Sequence, residues 1–111
     1  MSFNNKKYTY KLIDNGDASL LLEGTQCMFF NKQWSVSVEV NGLNGTPILN
    51  LFHSIDGVNW VIIDDCVKNI SLTENLIIQD EYFPNNYIKI SVDPGDNTSG
   101  NITATLNLKT Q

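Results

Sequence analysis

Residues 34–41 read WSVSVEVN, and this stretch decides the fold class. Trp34, Val36, Val38 and Val40 fall on one side of an extended chain, and Ser35, Ser37 and Glu39 on the other. Successive side chains of a strand point to opposite faces, so the pattern is that of a strand with one face in a core and one in water. The same period of two recurs in NITATLNLK (101–109), where Ile102, Ala104, Leu106 and Leu108 alternate with Thr103, Thr105, Asn107 and Lys109. It recurs again in YIKISVD (87–93), where Ile88, Ile90 and Val92 alternate with Lys89 and Ser91.

Weaker runs complete the set. KYTYKLI puts Tyr8, Tyr10 and Leu12 on one face, and ASLLLE, PILNLFHSI, NWVIID, VKNISL and NLIIQ bring the count to eight or nine. Turn residues separate them: Asp14-Asn15-Gly16-Asp17, Gly24, Asn41-Gly42, Asn44-Gly45, Asp56-Gly57, Pro84-Asn85-Asn86 and Asp93-Pro94-Gly95-Asp96. No stretch sustains an apolar stripe at helical spacing. Short strands with turn signals every 8–12 residues or so predict an all-β domain. The expected fold is an antiparallel β-sandwich, immunoglobulin-like or jelly-roll-like, of about eight strands. It occupies residues 7–111, behind a flexible N-terminal arm of residues 1–6 whose Phe3 could anchor on a neighbour.

Composition narrows the function. The 111 residues suit one domain, and 41% hydrophobic content suits a packed core. Net charge is −5, and all seven basic residues are lysines scattered along the chain. Nucleic-acid binding needs a clustered basic footprint with Arg forks for phosphate, so no nucleic-acid partner is expected. The N-terminus lacks the apolar run of a signal peptide, and no apolar stretch approaches the roughly 20 residues of a membrane span. Synthesis in a cytoplasm is therefore expected, without a membrane partner. In that setting Cys27 and Cys66 read as two buried thiols rather than a bridge.

The stretch HSIDGVNW (53–60) carries the most motif-like residues. Asp-Gly between two apolar runs predicts a two-residue type I′ hairpin. That loop pairs Ile55 with Val58, His53 with Trp60 and Leu51 with Ile62, which turns Trp60 inward beside His53. Asp56 and Gly57 then serve the backbone of the turn, and Ser54 caps it through its hydroxyl. Discoidin-type carbohydrate- or lipid-binding domains carry a similar hairpin over about ten residues, and sialidase-type Asp boxes space the same residue types one position wider.

Catalytic chemistry is not expected. His53 is the single histidine, so any Ser-His or Cys-His site would have to use it. Adjacent carboxylates such as Asp64-Asp65 point to opposite faces of a strand, whereas glycoside hydrolysis needs two facing each other. The DPGDN segment has turn composition, and calcium wants about six or more oxygen ligands. No cofactor and no metal are expected. The remaining surface candidates are Tyr82 and Phe83, in the loop-like stretch QDEYFPNN. They would close over the end of the sandwich, anchor a protein contact or stack on a sugar.

Three segments in order, QWSVSVEVNGLNGTP, HSIDGVNW and NNYIKISVDPGDNTSGNITATLNLK, resemble small immunoglobulin-like structural proteins of tailed bacteriophages, the crAss-like phages among them. The resemblance spans residues 33–109 and rests on strand-and-turn patterns. It implies a non-enzymatic auxiliary capsid protein that decorates or cements the shell. Its partners would be the major capsid protein or other virion proteins, and its place the virion after synthesis in the host cytoplasm. NGLNGT, DPGDNTSGN and the N-terminal arm would be the contact sites, and exposed sandwich edges would allow homo-oligomers. The alternative is a carbohydrate-binding or adhesion module, tail- or fibre-associated.

Overall fold

The computed structural model describes residues 7–28, 33–63, 70–80 and 86–109. Their nine strands are β1 (Lys7–Asp17), β2 (Leu22–Cys27), β3 (Gln33–Asn41), β4 (Ile48–Ser54), β5 (Val61–Ile62), β6 (Ile70–Ser71), β7 (Leu76–Asp80), β8 (Tyr87–Asp93) and β9 (Asn101–Lys109). One sheet has the order β1-β9-β3-β7. The other has the order β2-β8-β4-β5, with β6 beside the first half of β4. Every pairing is antiparallel. The protein is an all-β sandwich.

This strand order is that of a jelly roll, with β6 added in the connection between β5 and β7. In an immunoglobulin sandwich the first two strands pair within one sheet. Here β1 and β2 lie in different sheets, and β1 pairs instead with β9.

The register has a single centre. Leu22 pairs with Val92, Val36 with Ile78 and His53 with Val61. In each pair one partner lies as far before Gly57 as the other lies after it. The chain is thus one long hairpin with its tip at Gly57, folded over on itself. β4 with β6 departs from this centre, as does the outermost pair, β1 with β9, which shifts register between Lys11 and Ile13 and again between Ile13 and Gly16.

Burial follows the period of two. Trp34, Val36, Val38, Ile102, Ala104, Leu106 and Leu108 line one inner face, and Leu49, Leu51, Ile88, Ile90 and Val92 the other; all are buried. The outer face of the β3-β9 ladder is polar. There the Asn107 amide donates to the hydroxyls of Ser37 at 3.0 Å and Ser35 at 3.3 Å.

Two expected turns lie inside strands. The Asp14–Asp17 run belongs to β1, because the two register shifts absorb its extra residues as bulges while Asn15 takes a φ of 52°. Gly24 lies within β2, where an added Cβ would run into the Leu12 carbonyl oxygen. Glycine is required there by the close approach of β1 and β2 at the seam of the sandwich. The turn between these strands comes at residues 18–21, so ASLLLE is strand only from Leu22. Cys27, expected to be buried, is only half-buried on the edge strand β2, and Cys66 lies outside the described residues.

At the end of the sandwich away from Gly57, three loops meet at Asn97, which is buried. Its Oδ1 accepts the amides of Asn44 and Gly45, both at 2.9 Å. Its Nδ2 donates to the carbonyls of Ala18 at 2.9 Å and Ser99 at 2.7 Å. One side chain therefore ties the β1–β2, β3–β4 and β8–β9 connections together. Asn97→Ala leaves those groups without partners and is expected to lower the unfolding free energy by about 3 kcal/mol. Urea unfolding measures this as a lower midpoint at unchanged slope.

Candidate interaction surface

The turn at residues 54–60 is built around a carboxylate. Asp56 Oδ1 accepts the amides of Val58 at 2.8 Å and Asn59 at 2.9 Å and the Ser54 hydroxyl at 2.9 Å. Its Oδ2 accepts the Asn59 side-chain amide at 2.9 Å. The Ser54 hydroxyl oxygen in turn accepts the Gly57 amide at 2.9 Å. Gly57 has a φ of 78°, whereas Asp56 does not have positive φ. A type I′ turn needs positive φ at both central residues, so this turn is of another kind. An Asp side chain that hydrogen-bonds the backbone ahead of it makes a wider loop.

That wider loop shifts the expected register by one residue. His53 pairs with Val61 and Phe52 with Ile62, in place of His53 with Trp60 and Leu51 with Ile62. A one-residue slip moves a side chain to the opposite face. Trp60 is accordingly on the outer face of the sheet, not inward beside His53. The Lys89 ammonium there lies 5.0 Å from the Trp60 ring and 4.9 Å from the Phe52 ring. Glu23 lies 3.8 Å from the same ammonium. Phe52 and Lys89 are cross-strand partners on β4 and β8. The cation between two rings fastens the end of the turn to the sheet, and each such contact at a partly exposed site contributes roughly 0.5–1 kcal/mol.

Beyond this cluster exposed aliphatic side chains gather around two turns, while Ile77 stands apart on the edge strand β7. Ile55, Val58 and Val61 are 68%, 75% and 60% exposed around the Gly57 tip. Leu20 and Leu21 are 59% and 57% exposed in the β1–β2 turn. That second turn is also held by an aspartate: Asp17 Oδ1 accepts the Ser19 hydroxyl at 2.6 Å and the Ser19 amide at 3.0 Å. The neighbouring polar loops are saturated by each other. Asn44 exchanges two hydrogen bonds with Thr98, and Asp96 accepts the Thr46 amide.

The structure brings Ser54, Asp56, Gly57 and Trp60 together in one turn, while Phe3, Tyr82 and Phe83 lie outside the described residues. His53 is half-buried between Ile88 and Val61 on β8 and β5. Among the described residues no three of His, Cys, Asp and Glu gather as metal ligands. The Asp93 carboxylate is spent within its own turn on the Gly95 amide. Nothing in the residue pattern pointed to Lys89, because its place between two aromatic rings depends on the register of the turn.

The amides of Asn59 and Val58 hold the Asp56 carboxyl well below its ordinary value of 3.8. The folded state thus refuses a proton that the unfolded chain accepts. The stabilisation is complete above the unfolded value and is lost as pH falls below it. Asp56→Asn is expected to be less stable than the parent near neutral pH, with the gap closing as pH drops below about 4. Urea midpoints measured across that range test this, and two parallel curves would refute it.

No protein-family model matches the chain, and no curated protein matches it. Among solved structures it is similar to the SPBc2 prophage-derived protein YomS. The TM-score is 0.69 at 7% identity, over 99% of this chain and 98% of that one. Fainter likenesses join it to a Yersinia pseudotuberculosis-derived mitogen, with TM-score 0.45, 14% identity and coverage of 95% and 85%. They also reach a CBM4 structure, with TM-score 0.42, 11% identity and coverage of 94% and 71%. At 7% identity the likeness to YomS is one of fold, shared from end to end.

Proposed function

We propose that this chain is a non-enzymatic virion structural protein, an auxiliary capsid protein that decorates or cements the shell of a tailed phage, of the crAss-like type. One observation carries the reading: the whole fold is matched, nearly end to end in both chains, by a prophage-derived protein. Two features support it. Jelly rolls recur in viral capsid domains. The exposed surface offers aliphatic side chains on ordered turns, the kind of surface that marks a protein contact. The partner would be the major capsid protein, reached after synthesis in the host cytoplasm.

The test is a count of this chain against the major capsid protein in purified virions, by quantitative mass spectrometry. A ratio near one per capsid subunit, or one per few subunits, is expected. A handful of copies would move it to a tail or vertex, and absence would overturn the virion reading.

A second reading, a carbohydrate-binding or adhesion module, draws on Phe52 and Trp60 on the outer face of the sheet. Rings in that position stack on sugars, although here each already has the Lys89 ammonium over it. Under this reading Trp60→Ala abolishes binding on a glycan array while leaving the thermal unfolding cooperative. An array without signal for the parent protein removes it.

A further inference from the structure

Two sets of exposed aliphatic side chains stand at opposite ends of the sandwich. Leu20 and Leu21 precede Leu22, whose row runs through Val92 to Leu49 at the start of β4. Ile55, Val58 and Val61 follow Ser54, whose row runs through Tyr87 to Cys27 at the end of β4. The five residue steps along β4 from Leu49 to Ser54 separate the two rows by about 17 Å at 3.3 Å per residue. We propose that the protein is a bivalent bridge, seating the Leu20-Leu21 turn on one shell subunit and the Ile55-Val58-Val61 tip on the next. The inference rests on the auxiliary-capsid reading and adds the contact surfaces and their number.

Three features identify the occupant as an apolar pocket on a protein. Both turns are ordered before binding, since Asp17 and Asp56 take up their amides and hydroxyls. Little conformational freedom is left to lose on docking, which favours insertion into a shaped pocket. The turns also keep few donors for a polar partner, so affinity must come from burying aliphatic surface. An anionic membrane surface is disfavoured, because each turn carries an aspartate and the chain a net charge of −5. Lys89, which fastens the end of the Gly57 turn, is engaged by Phe52, Trp60 and Glu23.

The two-ended placement identifies the number of contacts. A protein that merely coats a shell needs one apolar patch. Two patches at opposite ends let one copy hold two subunits, and the second contact then forms at an effective concentration set by the rigid spacing. Such linkage raises apparent affinity by roughly 10²–10⁴ without a new kind of contact.

The experiment adds the full-length protein to shells of the source phage that lack it and follows retention through sedimentation and dilution. L20S/L21S alters one end and I55S/V58S the other; each change is at an exposed site, and thermal unfolding confirms the fold. The parent is expected to be retained and to raise the temperature at which shells break. Either double variant is expected to lose retention at least tenfold and to stop raising that temperature. The bridge is overturned if either variant behaves like the parent while the parent binds, and the auxiliary-capsid reading then stands. A parent that does not bind shells at all overturns that reading and the bridge with it. If the parent forms chains of its own in solution, abolished by altering either end, the two ends fit each other, and the occupant is a second copy instead of a shell subunit.

Discussion

Four hydrogen bonds converge on the carboxylate of Asp56, inside a turn that is also the centre of the whole pairing scheme. β2 with β8, β3 with β7 and β4 with β5 share Gly57 as their midpoint, and the shape of this turn fixes the register of the pair it joins, β4 with β5. Strand register tolerates no half measures: a slip by one residue sends a buried face to water. In the observed register the core residues Val36, Val38, Leu49, Leu51, Ile88 and Ile90 all face inward and are buried. Gly57 supplies the positive φ, and Asp56 and Ser54 supply partners for the amides that a wider loop would otherwise leave unpaired.

The opposite end is organised on the same physical rule. Asn97 satisfies two amides and two carbonyls from three connections, so loops distant in sequence become one unit. No buried polar side-chain atom among the described residues lacks a partner. Buried polar groups at both ends are thus satisfied within the molecule, and exposed aliphatic side chains stand beside exposed polar ones at each end. The polar outer face of β3 and β9 contrasts with this, since serine, threonine and asparagine there are matched to each other and to water.

Legibility in the sequence tracked the range of the interactions involved. The strands β3, β8 and β9 are plain from alternation, because each residue's face depends only on its own position along an extended backbone. The Gly57 turn was legible as a turn, yet its width was not. Asp-Gly favours the two-residue loop, but the donors of Val58 and Asn59 compete for the same carboxylate and win. The Asp14–Asp17 run shows the opposite failure. Its composition is that of a turn, while pairing with β9 keeps it in a strand by absorbing the surplus as bulges.

What the sequence determined by itself is the class of the fold. Alternation at period two, closely spaced turn residues and the absence of a helical stripe leave an antiparallel sandwich as the outcome, because burial of one face per strand is a local property. Which strands would be neighbours was decided only in three dimensions. Immunoglobulin and jelly-roll sandwiches share the same alternation and differ in pairings between residues far apart in sequence, such as Tyr8 with Leu108. The placement of Trp60 and Lys89 beside each other, and of two aliphatic turns at opposite ends, likewise follows from register and topology. Those are settled by packing of the whole core, to which each residue contributes only through partners that its own neighbourhood does not name.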